Sequence, residues 1–149
     1  MARGPRLGVD VGSVRVGLAI SDPDGILATP LETVHRKPGT DGDLPSPDML
    51  RIAQLVRELG VIQLVVGLPI TLAGTEGAAA ALSRQYASNL ATLVDPIPVA
   101  LTDERMSTVA ATRRLSERGV RGRRQRAVVD QAAAVEILQG WLDARRRMT

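Results

Sequence analysis

A run of strict alternation near the N-terminus, LGVDVGSVRVGLAIS, does most to limit what this 149-residue chain can fold into. Leu7, Val9 and Val11 alternate with Gly8, Asp10 and Gly12. After a short turn, Val14, Val16, Leu18 and Ile20 alternate with Arg15, Gly17, Ala19 and Ser21. Period two is the spacing of a strand, and two such runs joined by a short turn predict a β-hairpin with one apolar face. Asp10 then points away from its apolar neighbours. On the adjoining strand that second face has small residues at Gly17 and Ala19, which leaves room for a substrate backbone to approach closely.

The rest of the chain alternates strands with helices. A third strand is expected around Ile26 to Val34, followed by HRKPGTDGDLPSP, whose Pro, Gly and Asp content predicts an exposed loop. Asp48 opens a helix with Met49, Ile52, Val56 and Leu59 on one side, closed by Gly60 as a left-handed cap. VIQLVV (61–66) is almost continuously apolar, as a parallel strand covered on both faces should be, and Gly67, Leu68 and Pro69 end it. A helix from near Thr75, a strand from Pro98 to Thr102, a helix from near Ser107 and an Ala-rich helix from about Val128 complete the pattern. Such alternation implies an α/β fold, and no repeat or linker divides the chain, so residues 1–149 are expected to form one domain.

Three acids stand next to predicted breaks in these elements: Asp10, Glu104 in LTDERMST and Asp130 in VVDQAAAVEILQGW. If the fold unites them, they form an all-oxygen donor set of the kind hard cations take. Phosphodiester hydrolysis with two magnesium ions needs ligands that hold the ions roughly 3.5 to 4 Å apart. Asp10 is the candidate bridging ligand, because a carboxylate on a central strand is held more rigidly than one on a loop. Each acid also has a simpler explanation. Asp just ahead of a Gly-containing turn is common, Asp103 competes with Glu104, and acids just ahead of a helix or in its first turn complement the helix dipole without any metal.

Charge points in the same direction by its clustering. The net charge is only +3, but 18 of the 19 basic residues are Arg, Lys37 being the one Lys. Arg118, Arg121, Arg123, Arg124 and Arg126 lie in one acid-free segment, RGVRGRRQR, just before the last predicted helix. Such a segment attracts phosphate backbones or is simply a solvated loop, and Arg145, Arg146 and Arg147 are expected to be a frayed basic tail. Arg15 and Arg105, next to the acids, have the chemistry to clamp a phosphate, to orient a carboxylate, or to sit at an ordinary surface. GLPITLAGT (67–75) either presents backbone amides to a phosphate at the following helix or merely connects.

Other chemistries are poorly supplied. Without cysteine there is no disulfide framework and no thiolate zinc site, and the single His35 supports neither a zinc site nor a Ser-His-Asp triad. Trp141 and Tyr86 are the only aromatics, and both fall in predicted helices, against base-stacking platforms. MARGPRLGVDVG lacks the apolar core of a signal peptide, and no apolar run approaches the ~18 residues of a transmembrane helix. A cytoplasmic protein with no membrane association is expected.

Taken together, GVDVGSVRVGLAISD, VVGLPITLAGTEG, DERMST and VDQAAAVEILQGWL closely resemble the YqgF family of pre-16S rRNA nucleases, which are Holliday-junction-resolvase-like. The resemblance implies an RNase H-like fold: a five-stranded mixed sheet, its first three strands antiparallel and the others parallel, flanked by helices. It also implies that Asp10, Glu104 and Asp130 are the catalytic and metal-holding acids, with Mg2+ or Mn2+, two ions, as cofactor. Resolvases of related type carry a fourth acid; here Gly67 follows the strand where one would be expected. The implied function is endonucleolytic trimming of the 5' end of the ribosomal RNA precursor during ribosome biogenesis. From their positions, Arg15, Arg105, Arg121, Arg123, Arg124 and Arg126 are the candidate nucleic-acid-binding residues, and monomer and homodimer both stay open. Two kinds of alternative stay open: a Holliday junction resolvase in DNA recombination and repair, and a non-catalytic maturation factor acting through its basic segment. A third, an actin-like phosphotransferase suggested by DVGS, is opposed by chain length.

Overall fold

The computed structural model describes residues 2–37, 44–106 and 123–148, and within 123–129 only the course of the helix backbone. In chain order the elements are β1 (Arg6–Val11), β2 (Arg15–Ser21), β3 (Ala28–His35), α1 (Pro47–Leu59), β4 (Gln63–Leu68), α2 (Ala78–Val94), β5 (Val99–Asp103), one 3-10 turn (Glu104–Met106) and α3 (Arg123–Met148). They form one mixed five-stranded sheet in the order β3-β2-β1-β4-β5. β1, β2 and β3 pair antiparallel, whereas β4 runs parallel to both β1 and β5. The expected α/β, RNase H-like sheet is therefore present. The helix expected near Ser107 lies outside the described residues.

Alternation along the strands divides the sheet into two unlike faces. Leu7, Val9, Val16, Leu18, Leu64 and Val66 join Met49, Ile52, Val56, Tyr86 and Leu90 in a core beneath α1 and α2. The opposite face is covered by α3, which brings Ala133, Ala134, Ile137, Leu138, Trp141 and Leu142 against Ala19, Ala28 and Val65. A fully buried Leu or Ile contributes about 1.5–3 kcal/mol, so both layers matter to stability.

Small residues on the sheet decide how deeply α3 sits. A Cβ on Gly17 would lie 2.1 Å from the carbonyl oxygen of Asp130, and one on Gly8 would lie 2.7 Å from Leu138 Cβ. The small-residue face anticipated as open to a substrate backbone is thus filled by α3. Close approach does occur there, but by this chain's own helix.

Several boundaries differ from expectation for local reasons. α1 buries Ala53 and Leu55 together with Met49, Ile52 and Val56, while Leu59, in the last turn before Gly60, stays 41% exposed. Gly60 takes the left-handed cap conformation, φ 65°. α2 starts at Ala78 and not near Thr75, because Thr75 closes a turn: its N–H donates to Thr71 Oγ1 and its carbonyl accepts from Thr71 N–H. α3 starts at Arg123, ahead of Val128, so Arg123, Arg124 and Arg126 belong to a helix and not to a loop. Arg is a good helix former, and nothing after Gly122 interrupts the run.

The basic tail is not frayed either. Arg145, Arg146 and Arg147 form the last turn of α3, where cations meet the negative end of the helix dipole. Arg145 stacks 4.4 Å from the Trp141 ring centroid, and Arg146 Nη1 donates to the carbonyls of Gly25 and Ile26 at 3.0 and 2.9 Å. Gln139 adds bonds to Ala28 N–H and Ile26 O, fixing α3 to the β2–β3 connection.

Gly17→Ala should destabilise the protein by about 1–3 kcal/mol, the range for overpacking, because the methyl meets helix backbone. Urea unfolding measures it, and an unchanged midpoint would show that α3 does not sit this close.

Candidate active site at the carboxyl edge of the sheet

β1, β4 and β5 all run toward one edge, and each candidate acid lies at that edge on the α3 side. Asp10 is the penultimate residue of β1, paired with Gly17 of β2 and only 6% exposed. Its orientation is the expected one, opposite Val9 and Val11. On one side, the backbone of Asp130 occupies the space above Gly17. On the other, one step beyond the Val9–Val66 pair, lies Gly67 of β4, and the Glu104 carboxylate reaches over it: a Cβ on Gly67 would lie 3.0 Å from Glu104 Oε1. Glu104 is 7% exposed.

The acids thus occupy three adjacent lanes, Asp130 over β2, Asp10 on β1 and Glu104 over β4. Neighbouring strands are about 4.8 Å apart, so the row spans roughly two strand spacings. Among the described residues, no three acid or histidine side chains are grouped closely enough to hold an ion together.

Two of the simpler explanations fail on this geometry. Asp130 lies about two turns inside α3, at roughly 3.6 residues per turn, whereas the dipole's influence fades within the first turn. Asp103 does not compete with Glu104 for the edge, because Arg105 grips it: Nε and Nη2 donate to Asp103 Oδ2 at 2.9 and 2.7 Å, and the Arg105 backbone N–H donates to Oδ1 at 2.8 Å. Hydrogen bonding to that guanidinium holds the Asp103 carboxyl below its ordinary range.

Arg15 orients a carboxylate. Its Nε donates to Asp130 Oδ2 at 2.7 Å, and both side chains are about a quarter exposed, 21% and 25%. Arg105 Nη1 stands 3.6 Å from where a Cβ on Gly74 would be, so it lies against the 67–75 loop. That loop is a closed turn bridged at Ile70 and Glu76, and α2 begins only after it. Arg121 lies outside the described residues, while positions 123, 124 and 126 are in the first turn of α3.

One contributor was missed by the sequence reading. Arg36 donates from Nη1 to Gly12 O at 3.1 Å and from its backbone N–H to Val14 O at 2.8 Å, clamping the turn that follows Asp10. Its guanidinium lies 5.3 Å from the Tyr86 ring centroid and 4.0 Å from buried Asp48. Tyr86 donates its hydroxyl to Asp48, and burial, then that bond, push the hydroxyl well above its ordinary pKa. No pattern in the sequence links a loop arginine to that turn.

The architecture is that of the RNase H-like α/β proteins. Thermus thermophilus RuvC in complex with a Holliday junction substrate superposes with a TM-score of 0.59 over 95% of this chain and 96% of that one, at 15% identity. A second T. thermophilus RuvC structure gives 0.54 at the same identity. At that identity the likeness is one of fold. Within this class the chain belongs to the RuvX family, whose model, described as Holliday junction resolvase, matches residues 4–144. Relatives named "Putative pre-16S rRNA nuclease" include one from Rhodococcus opacus (strain B4), 57% identical over 97% of this chain and 80% of its own length. Another, from Mycolicibacterium paratuberculosis, is 55% identical over 99% and 84%.

Gly67→Asp should destabilise the fold more than the equally large Gly67→Asn, by about 1 kcal/mol or more at pH 7, because only Asp adds a like charge beside buried Glu104. Equal losses in urea unfolding would mean that the Glu104 carboxylate is not there.

Proposed function

We propose that the chain is a metal-dependent endonuclease that trims the 5' end of the pre-16S ribosomal RNA precursor in the cytoplasm, working as a single domain. The observation that carries this reading is the row of three acids with Asp10 in the middle lane, between Asp130 and Glu104, on one edge of an RNase H-like sheet. The donor set is all carboxylate oxygen, suited to Mg2+ or Mn2+. Asp10, Glu104 and Asp130 are the residues that would hold such ions, two in the mechanism that phosphodiester hydrolysis of this kind uses.

When bound there, the ions would supply activation of water and stabilisation of the leaving oxygen. The protein's own part is positioning. Asp10 is fixed by its strand, Glu104 by the space over Gly67, and Asp130 by α3 lying on Gly17. Phosphates would be drawn by Arg105 and by Arg121, Arg123, Arg124 and Arg126, whereas Arg15, at the same edge, is turned to Asp130. Positions 123, 126 and 130 recur at i, i+3 and i+7, one face of α3, so the helix itself would lead a backbone toward Asp130.

The family description and the RuvC-like fold favour a second substrate, a four-way DNA junction, cut by the same chemistry. The test gives wild type and Asp10→Asn both a labelled precursor fragment and a four-way junction, with Mg2+, Mn2+ or EDTA. Cutting should occur only with wild type and metal, with the precursor preferred. Asp10→Asn should lose cleavage without a fall in melting temperature. Binding without cutting would leave a non-catalytic maturation factor.

Changing Arg121, Arg123, Arg124 and Arg126 to Gln should flatten the salt dependence of binding, by about 0.7–0.9 in the log–log slope per lost phosphate contact. An unchanged slope would remove the segment from the substrate path.

A further inference from the structure

Asp130 is placed by the close seating of its backbone over Gly17, but the direction of its carboxylate needs another cause, since it sits too deep in α3 for the helix dipole to act on it. Arg15 supplies one. It opens β2 on the α3 face, two residues from Gly17, and its Nε holds Asp130 Oδ2 at 2.7 Å. The carbonyl of Arg15 accepts from Gly12 N–H at 2.9 Å, so the residue is anchored in the turn that follows Asp10. Two neighbouring acids of the row are therefore referenced to one hairpin. Its guanidinium also brings a positive charge to the edge.

We propose that Arg15 is a positioning residue that fixes the Asp130 carboxylate for turnover and, by its charge, lowers the affinity of the edge for divalent cations. This rests on the reading of Asp130 as a metal-holding acid. The two effects run in opposite directions when Arg15 is removed. Asp130 loses its orientation, yet the edge also loses a positive charge that would oppose a cation. A plain structural prop would weaken binding and turnover together.

The experiment measures Mn2+ binding by calorimetry without nucleic acid, and kcat and KM on the precursor fragment, for the full chain and for Arg15→Gln, Arg15→Lys and Asp130→Asn. Arg15→Gln should bind Mn2+ about tenfold more tightly, allowing for the solvent that screens this partly exposed pair, while kcat falls about tenfold and KM changes little. Arg15→Lys keeps the charge and should keep wild-type Mn2+ affinity, which also tests the proposal if the Gln variant folds poorly. Unchanged or weaker Mn2+ binding by Arg15→Gln, or tightened binding by Arg15→Lys, would overturn it. Asp130→Asn should weaken Mn2+ binding. If it binds as wild type does, the assignment of Asp130 to metal fails first and takes this inference with it, an outcome distinct from weakened Asp130→Asn beside unaltered Arg15→Gln.

Discussion

Everything at the carboxyl edge depends on how closely α3 lies on the sheet. Helix and sheet approach to backbone contact at Gly17 and Gly8, where no Cβ fits, and Ala133 and Ala134 keep the helix side equally low. The larger residues Ile137, Leu138, Trp141 and Leu142 then pack where the contact is wider. Asp130 thereby comes down beside Asp10 even though it is two turns inside its helix. A larger residue at position 17 would lift that end of α3 and carry Asp130 away from the row.

Crowding acids at a nearly buried edge works against stability. Asp10 and Glu104 are 6% and 7% exposed, and transferring a carboxylate from water is costly unless charge or hydrogen bonds compensate. Such a site persists only when its surroundings over-determine it, and here they do so from several directions. The turn after Asp10 is clamped by Arg36, Asp130 is paired with Arg15, and Asp103 is committed to Arg105. The space above β4 admits one carboxylate. Glu104 supplies it from the end of β5, and the absence of a side chain at Gly67 is what leaves the room. A fourth acid at position 67 would compete for the same volume.

The parts of this arrangement that follow from short-range periodicity could be read in the sequence. Alternation in β1 and β2 defined the hairpin, its two faces and the direction of Asp10, and the apolar run of β4 marked an interior parallel strand. What could not be read were relations between residues far apart. Arg15 and Asp130 are 115 positions apart, and nothing local distinguishes a guanidinium that will orient a carboxylate from one that will grip phosphate. The small-residue face was recognised, but smallness signals close approach without saying by what, and a helix of the same chain fills it. Asp130 resembles a first-turn acid in the sequence because no cap residue there marks a helix beginning as early as Arg123. Arg123, Arg124 and Arg126 read as a charged loop, although arginine is equally at home in a helix.

That last difference bears on recognition. Under the proposed function, a loop of arginines would give diffuse attraction, whereas positions 123 and 126, spaced at i, i+3 and i+7 with Asp130 along α3, would give attraction with a direction. Both aromatic residues are spent on the interior, Tyr86 at 2% and Trp141 at 9% exposure, so neither offers a base a stacking surface. Phosphate contacts fix register and orientation but carry no sequence information directly. Under the proposed function, selection of a cleavage point would then come from the shape of the nucleic acid, through which parts of its backbone can approach the Asp10 lane.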